Sequence, residues 1–293
     1  MFKEEYVMRS KIAALTAAAL FAVILGAGAC FAEEAPQWAK EIGARGRVKA
    51  AEAKTAELFK GDDGAYYKNG GELGQMMTNF VYGDVYNVGK LTDKQRALIT
   101  LSVLTVNQTL DELKAQVKAA VNAGVSPEEI QEAIYQCAPY IGFSKALAAA
   151  DKMNEALREK KAAPPKSMAT VTEADRGEKG YLTQKSIFPG GLDGMYQSSP
   201  ENRRHVAEYL ASMCFGDFYT RGALDIKTRE ILTLCIISAQ GGCEAQVKAH
   251  VQGNLNVGND EDTMVAAITQ CLPYMGFPRT LNALACVDEV VKR

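Results

Sequence analysis

Four residues in the second half of the chain have the types and spacing for proton or thiol chemistry: Glu230, Cys243, Gln246 and His250. Cys243 follows Gly241-Gly242, where a helix is expected to begin. The free N–H groups of a helix N-terminus favour a thiolate. His250 lies seven residues on, two turns along the same face. It can relay a proton through Gln246 or a water, with Glu230 orienting it. Thiolate, base and orienting carboxylate make an activated nucleophile. His205 and His250 are the only histidines, and no Cys-x-x-Cys pair occurs, so no metal site is expected. Gly190-Gly191 and Gly241-Gly242 lack a phosphate-loop or dinucleotide pattern, so no cofactor is expected either.

The elements that carry these residues occur twice. QCAPYIGFSKAL (136–147) returns as QCLPYMGFPRTL (270–281), and Gly83-Asp84, Tyr86 and Arg96 return as Gly216-Asp217, Tyr219 and Arg229. AQVKA at 115–119 returns at 245–249. The order is kept and the spacing changes only slightly, so the chain reads as two diverged copies of one unit. Lys160–Lys166, with Pro164-Pro165, is the natural linker. The three polar positions of the second copy are apolar in the first: Ala97 stands for Glu230, Leu113 for Cys243 and Ala120 for His250. The second copy is therefore expected to hold the site and the first to serve as its structural partner. The alternative is that Cys243 is a small buried hydrophobe and His250 an interface histidine.

Each copy reads as helices. The run from Gln95 to Val106 is apolar and long enough for a buried helix. Leu113, Val117 and Val121 share one face of a helix over Asp111–Ala123, with Gly124 as its stop. Ser126-Pro127-Glu128-Glu129 forms a capping box with proline in the first turn. Asp225 is placed to cap the helix from Ile226 to Ala239, which Gly241-Gly242 ends. Alternating strand patterns are absent, so the fold class is all-α. Cys137 and Cys271 share one repeat position on an apolar stripe and are read as core. Arg96 and Arg229 are expected to make a shared structural ion pair, and Tyr140 and Tyr274 to pack between helices.

LTDKQRALITLSVLT with LDELKAQVKAAVNAGVSPEEIQEAIYQCAPYIGFSKAL, and DIKTREILTLCIISAQGGCEAQVKAHVQGNLNVG with AITQCLPYMGFPRTLNAL, both resemble carboxymuconolactone decarboxylase-like domains. That family also includes the alkylhydroperoxidase D-like thiol peroxidases. The resemblance implies two tandem helical domains, at 33–163 and 164–293, paired as an intramolecular pseudo-dimer that assembles further into a homo-oligomer. Alkylhydroperoxidase D proteins carry a Glu, then Cys-x-x-Cys-x-x-x-His. Here Cys243 and His250 match, Glu230 is one residue further off, and Gln246 replaces the second cysteine. The first reading is therefore a thiol-dependent peroxidase with an external thiol reductant, or with Cys235 or Cys271 resolving. The second is a cofactor-free lactone decarboxylase or isomerase acting on a small organic acid. Gln116 and Gln246 stand where that branch is expected to carry a histidine. The third is a binding protein that kept the fold and lost the chemistry.

Arg9 and Lys11, an apolar run of about 17 residues and small residues up to Ala32 read as a signal peptide over 1–32, so the mature protein is expected in the periplasm. Met8 is an alternative start. Ala27 stands where lipidated cysteines prefer leucine, which argues against a lipid anchor at Cys30. Hydrophobic residues make up 47% of the chain, and a formal charge of −2 offers no field for nucleic acid. The expected partner is a small molecule, either a peroxide or an organic acid.

Overall fold

The computed structural model describes residues 35–292 apart from 62–66, 68 and 191. The signal peptide, Met8 and Cys30 lie outside the described residues. Helix α1 (Gln37–Glu41) and a 3₁₀ turn over Ile42–Arg45 end a first unit that runs to Arg45. The second unit, Gly46–Arg293, contains both copies. Among the described residues there is no strand, and no helix is long and apolar enough to cross a membrane.

In the first copy, α2 (Arg47–Phe59) is followed by α3 (Gly71–Thr78), which widens into a π turn over Asn79–Asp84. Then come α4 (Asp93–Asn107), α5 (Leu110–Asn122), α6 (Pro127–Tyr135), α7 (Ala138–Ile141) and α8 (Phe143–Glu159). The second copy repeats the plan. It has α9 (Arg176–Ile187), α10 (Leu192–Ser198), α11 (Arg204–Tyr209) widening into Leu210–Tyr219, α12 (Ile226–Gln240), α13 (Glu244–Asn256) and α14 (Glu261–Val291). Helix α14 corresponds to α6, α7 and α8 together, and its kink at Gly276, φ 80°, matches Gly142, φ 87°, between α7 and α8. Residues 162–172, holding Pro164-Pro165, run between the copies without helix.

The local signals explain the boundaries. Thr92 and Gln95 cap α4 reciprocally, as Ser126 and Glu129 cap α6. Asp225 accepts from the Thr228 amide at 2.8 Å, and Asp260 from the Thr263 amide at 2.9 Å. The repeated Gly-Asp pair marks a helix crossing. A Cβ on Gly83 would meet the Arg47 carbonyl at 2.2 Å, and one on Gly216 would meet the Arg176 carbonyl at 2.3 Å, so only glycine lets each wide turn lie against the copy's leading helix. The adjoining aspartates tie the crossing down: Arg47 reaches Asp84 at 3.3 Å and Arg176 reaches Asp217 at 2.8 Å.

The buried helices α4 and α12 pack against each other, and one apolar core runs through both copies. Cys137, Cys235 and Cys271 lie inside it, and all six described cysteines are free thiols. The QCxPY segment of each copy serves the other. Gln270 accepts from Arg96 at 2.9 Å and Gln136 accepts from Arg229 at 2.8 Å. The expected shared ion pair holds in one copy only. Arg229 pairs with the buried Glu132 at 3.0 Å, but Ala266 stands at the position of Glu132 in the other half. Arg96 is held instead by Gln270 and the Val85 and Val88 carbonyls.

Candidate functional site

Glu230 sits on the buried face of α12, and both of its oxygens are engaged. Oε1 accepts from the Tyr219 hydroxyl at 2.7 Å and Oε2 lies 2.9 Å from His250 Nδ1. An ionised carboxylate can only accept, so Nδ1 carries the proton of this bond. The nitrogen left to face the cavity that His250 lines is Nε2. Asn254 locks α13 onto α12 by donating to the Glu230 carbonyl at 3.1 Å and the His250 carbonyl at 2.7 Å. Gly253 is required by the carboxylate: a Cβ there would lie 2.5 Å from Glu230 Oε2. The rings of Phe188 and Tyr140 stand edge-on to the imidazole.

Tyr140 comes from α7 of the first copy. Its hydroxyl lies 3.1 Å from that of Tyr219, and Cys214 donates to it at 3.8 Å. Thr233 lies 2.7 Å from the Tyr219 hydroxyl. Burial raises both tyrosines well above the ordinary phenol value and pushes the Cys214 thiol to about 12. These three groups are therefore neutral donors at physiological pH. The wide turn over Leu210–Tyr219 brings Cys214, Phe215 and Tyr219 to this side, in keeping with the frequent use of such turns at functional sites.

The cavity in front of His250 measures about 1050 Å³. Gln246 lines it beside His250. Cys243 does not. It is the N-cap of α13, its Sγ lies 3.4 Å from the Gly241 carbonyl, and it opens on a separate hollow of about 20 Å³ with Arg279 and Cys286. The structure thus brings Glu230, Gln246 and His250 together and leaves Cys243 apart. The reason is physical. Seven residues of helix separate two side chains by about 10 Å even when they share a face.

Sequence reasoning missed Tyr140 and Tyr219, whose recurrence in the repeat was the available signal. It also missed the buried polar group of the first copy. Glu112 on α5 is 6% exposed and accepts from Tyr67 at 3.1 Å. Gln116 donates to the Tyr67 hydroxyl and, at 2.8 Å, to that of Tyr82. Burial pushes the Glu112 carboxyl up to about 7, against the lowering effect of the Tyr67 hydrogen bond. Among the described residues, no group of three or more His, Cys, Asp or Glu side chains is placed to hold a metal ion.

Comparison with known proteins fits this picture. A segment of 90 residues is 31% identical to 4-carboxymuconolactone decarboxylase of Acinetobacter baylyi, covering 31% of this chain and 67% of that protein. A segment of 68 residues is 34% identical to nitrosuccinic acid decarboxylase npaB of Metarhizium robertsii, covering 23% of this chain and 48% of that protein. The chain thus spans about two thirds of the first relative and about half of the second. The carboxymuconolactone decarboxylase family matches twice, over residues 71–155 and 204–289, more than half the sequence and one match in each copy. With its all-helical fold and two interlocked repeats, the chain belongs to the carboxymuconolactone decarboxylase family.

Proposed function

We propose that the chain is an acid–base enzyme of the decarboxylase type, acting on a carboxylated small molecule in the cavity of the second copy. The single observation that carries this reading is the Glu230–His250 pair, its carboxylate fully buried and its imidazole on the cavity wall. Glu230 fixes the Nδ1–H tautomer and stabilises the imidazolium, so Nε2 can take or give a proton. In decarboxylation the bond to the leaving carboxylate breaks and its electron pair moves into a neighbouring carbonyl or nitro group. Carbon dioxide departs neutral, and the imidazolium proton ends on the carbon. Phe188, Met213 and Phe215 make the walls apolar, which strips water from the carboxylate whose charge the reaction removes. Both relatives are named for the loss of carbon dioxide from an organic acid.

Thiol peroxidase chemistry at Cys243, with its external reductant, draws no support from this pair, which faces a different space. Further assembly of the chain is supported by apolar residues that both copies leave exposed at matching positions, Phe143 and Leu147 in one and Phe277 and Leu281 in the other. The envelope remains the proposed location on the pattern of residues 1–32.

The test is release of carbon dioxide from a panel of small and large organic acids that carry a carbonyl or nitro group beside the leaving carboxylate, 4-carboxymuconolactone and nitrosuccinic acid among the small ones, by the full chain alongside His250→Gln and Glu230→Gln. The reading expects turnover of a carboxylated substrate that His250→Gln lowers by about 10²–10⁴-fold. Turnover equal to wild type in both variants would overturn it.

A further inference from the structure

The dyad's cavity is unusual for a site that handles compact, highly polar acids. At about 1050 Å³ it sits at the upper end of the roughly 300–1000 Å³ that ligand sites span. Its walls are mostly hydrocarbon and aromatic: Phe188, Leu192, Leu210, Met213 and Phe215 are among them. Among the described residues no aspartate or glutamate lines it, and Arg203 is its only full-time cation. Arg203 sits in the 3₁₀ turn just before α11, is exposed, and has no carboxylate partner among the described residues.

A small di-acid placed here would leave most of the apolar wall wet and would find one guanidinium for two charges. A guanidinium without a counter-ion, beside a large apolar space free of acids, matches a different ligand. Its anionic group pairs with Arg203, and its bulky hydrocarbon or aromatic body covers the apolar wall.

We infer that the ligand of the second copy's cavity is an organic acid with a large apolar body, anchored at its anionic end by Arg203, rather than a compact polar di-acid. The inference rests on the proposed placement of the site at His250 but concerns binding alone. The first copy sharpens the point. Its cavity, about 580 Å³, is lined by Glu52, Thr55, Gln75, Thr78 and Asn79 together with Phe59 and Tyr67. That polar, acid-bearing lining suits no such ligand, so one site per chain is expected.

Isothermal titration of the full chain with decanoate, decanol and succinate tests this. Decanoate is expected to bind with one site per chain and at least tenfold more tightly than succinate. Arg203→Gln, a change at an exposed position, should weaken decanoate about tenfold and leave decanol unchanged. Met213→Trp, which fills the cavity, should weaken both. Glu230→Gln, behind the cavity wall, should leave decanoate binding intact while lowering any turnover, which separates failure of this inference from failure of the decarboxylase reading. Succinate binding as tightly as decanoate would overturn the inference. So would decanoate binding indifferent to both Arg203→Gln and Met213→Trp. If a second copy of the chain covers the apolar wall instead, Tyr209→Lys will shift the oligomer and decanoate will not bind to either form, which also overturns it.

Discussion

The two copies share their crossing glycines, their capping scheme and their exchanged QCxPY segments, yet each buries a carboxyl group in a different way. In the second copy Glu230 is met by an imidazole and a phenol. In the first, Glu112 is met by Tyr67 and, among the described residues, by no cation, and burial pushes it up to about 7. The shared features are those that packing demands: a glycine wherever two helices cross, and a glutamine wherever a buried arginine must be answered. The divergent features are titratable groups lying over a cavity, where packing leaves a choice. The contrast supports the proposed placement of proton chemistry in the second copy and leaves the first with a group held neutral at mildly acidic pH.

The largest expected effect tests this asymmetry by moving it. His250→Gln should lower turnover by about 10²–10⁴-fold. Ala120→His, which puts an imidazole at the matching place in the first copy but without a glutamate at position 97, should restore none of it in a steady-state assay. The next effect lies in stability. Glu132 is fully buried between Arg221 and Arg229, and Arg229 is itself fully buried. Glu132→Ala strands that charge and should cost about 3–5 kcal/mol in urea unfolding. Gln270→Ala in the other half leaves Arg96 its two carbonyls and should cost only about 1–2 kcal/mol.

Glu112 gives the pH signature of the first copy. Its folded value, about 7, lies above the ordinary 4.5, so between those values the native state holds a proton that the unfolded chain has lost. Stability therefore falls as pH rises through this window, and the cost is complete above about pH 7. Glu112→Gln should gain about 3 kcal/mol over wild type at pH 8 and nothing at pH 4. The smallest effect compares caps. Ser126→Ala and Asp260→Ala, at matching helix starts in the two copies, should each cost about 1 kcal/mol.

Most of the fold was legible because it rests on local rules: the Ser126–Glu129 capping box, the Asp225 cap, the Gly241-Gly242 break and the apolar runs of α4 and α12 lie where the sequence places them. Half of the site was legible for a related reason, since Glu230 and His250 differ from Ala97 and Ala120, their partners in the first copy. Cys243 misled because shared helix face was taken for shared space. Glu112 was hidden because an acid in the first turn of a helix ordinarily faces water and the helix dipole. Its partner in the folded chain is Tyr67, and that contact spans 45 residues. Tyr140 was hidden because its role depends on the other copy.

The central claim, that Glu230 holds His250 ready for proton transfer, is tested most directly by the nitrogen NMR spectrum of the two imidazoles in the full chain near neutral pH. Neutral His250 is expected to carry its proton on Nδ1 and leave Nε2 bare, and Glu230→Gln is expected to abolish this preference while His205 is unaffected. A neutral His250 protonated on Nε2, or one whose tautomer is indifferent to Glu230→Gln, would contradict it.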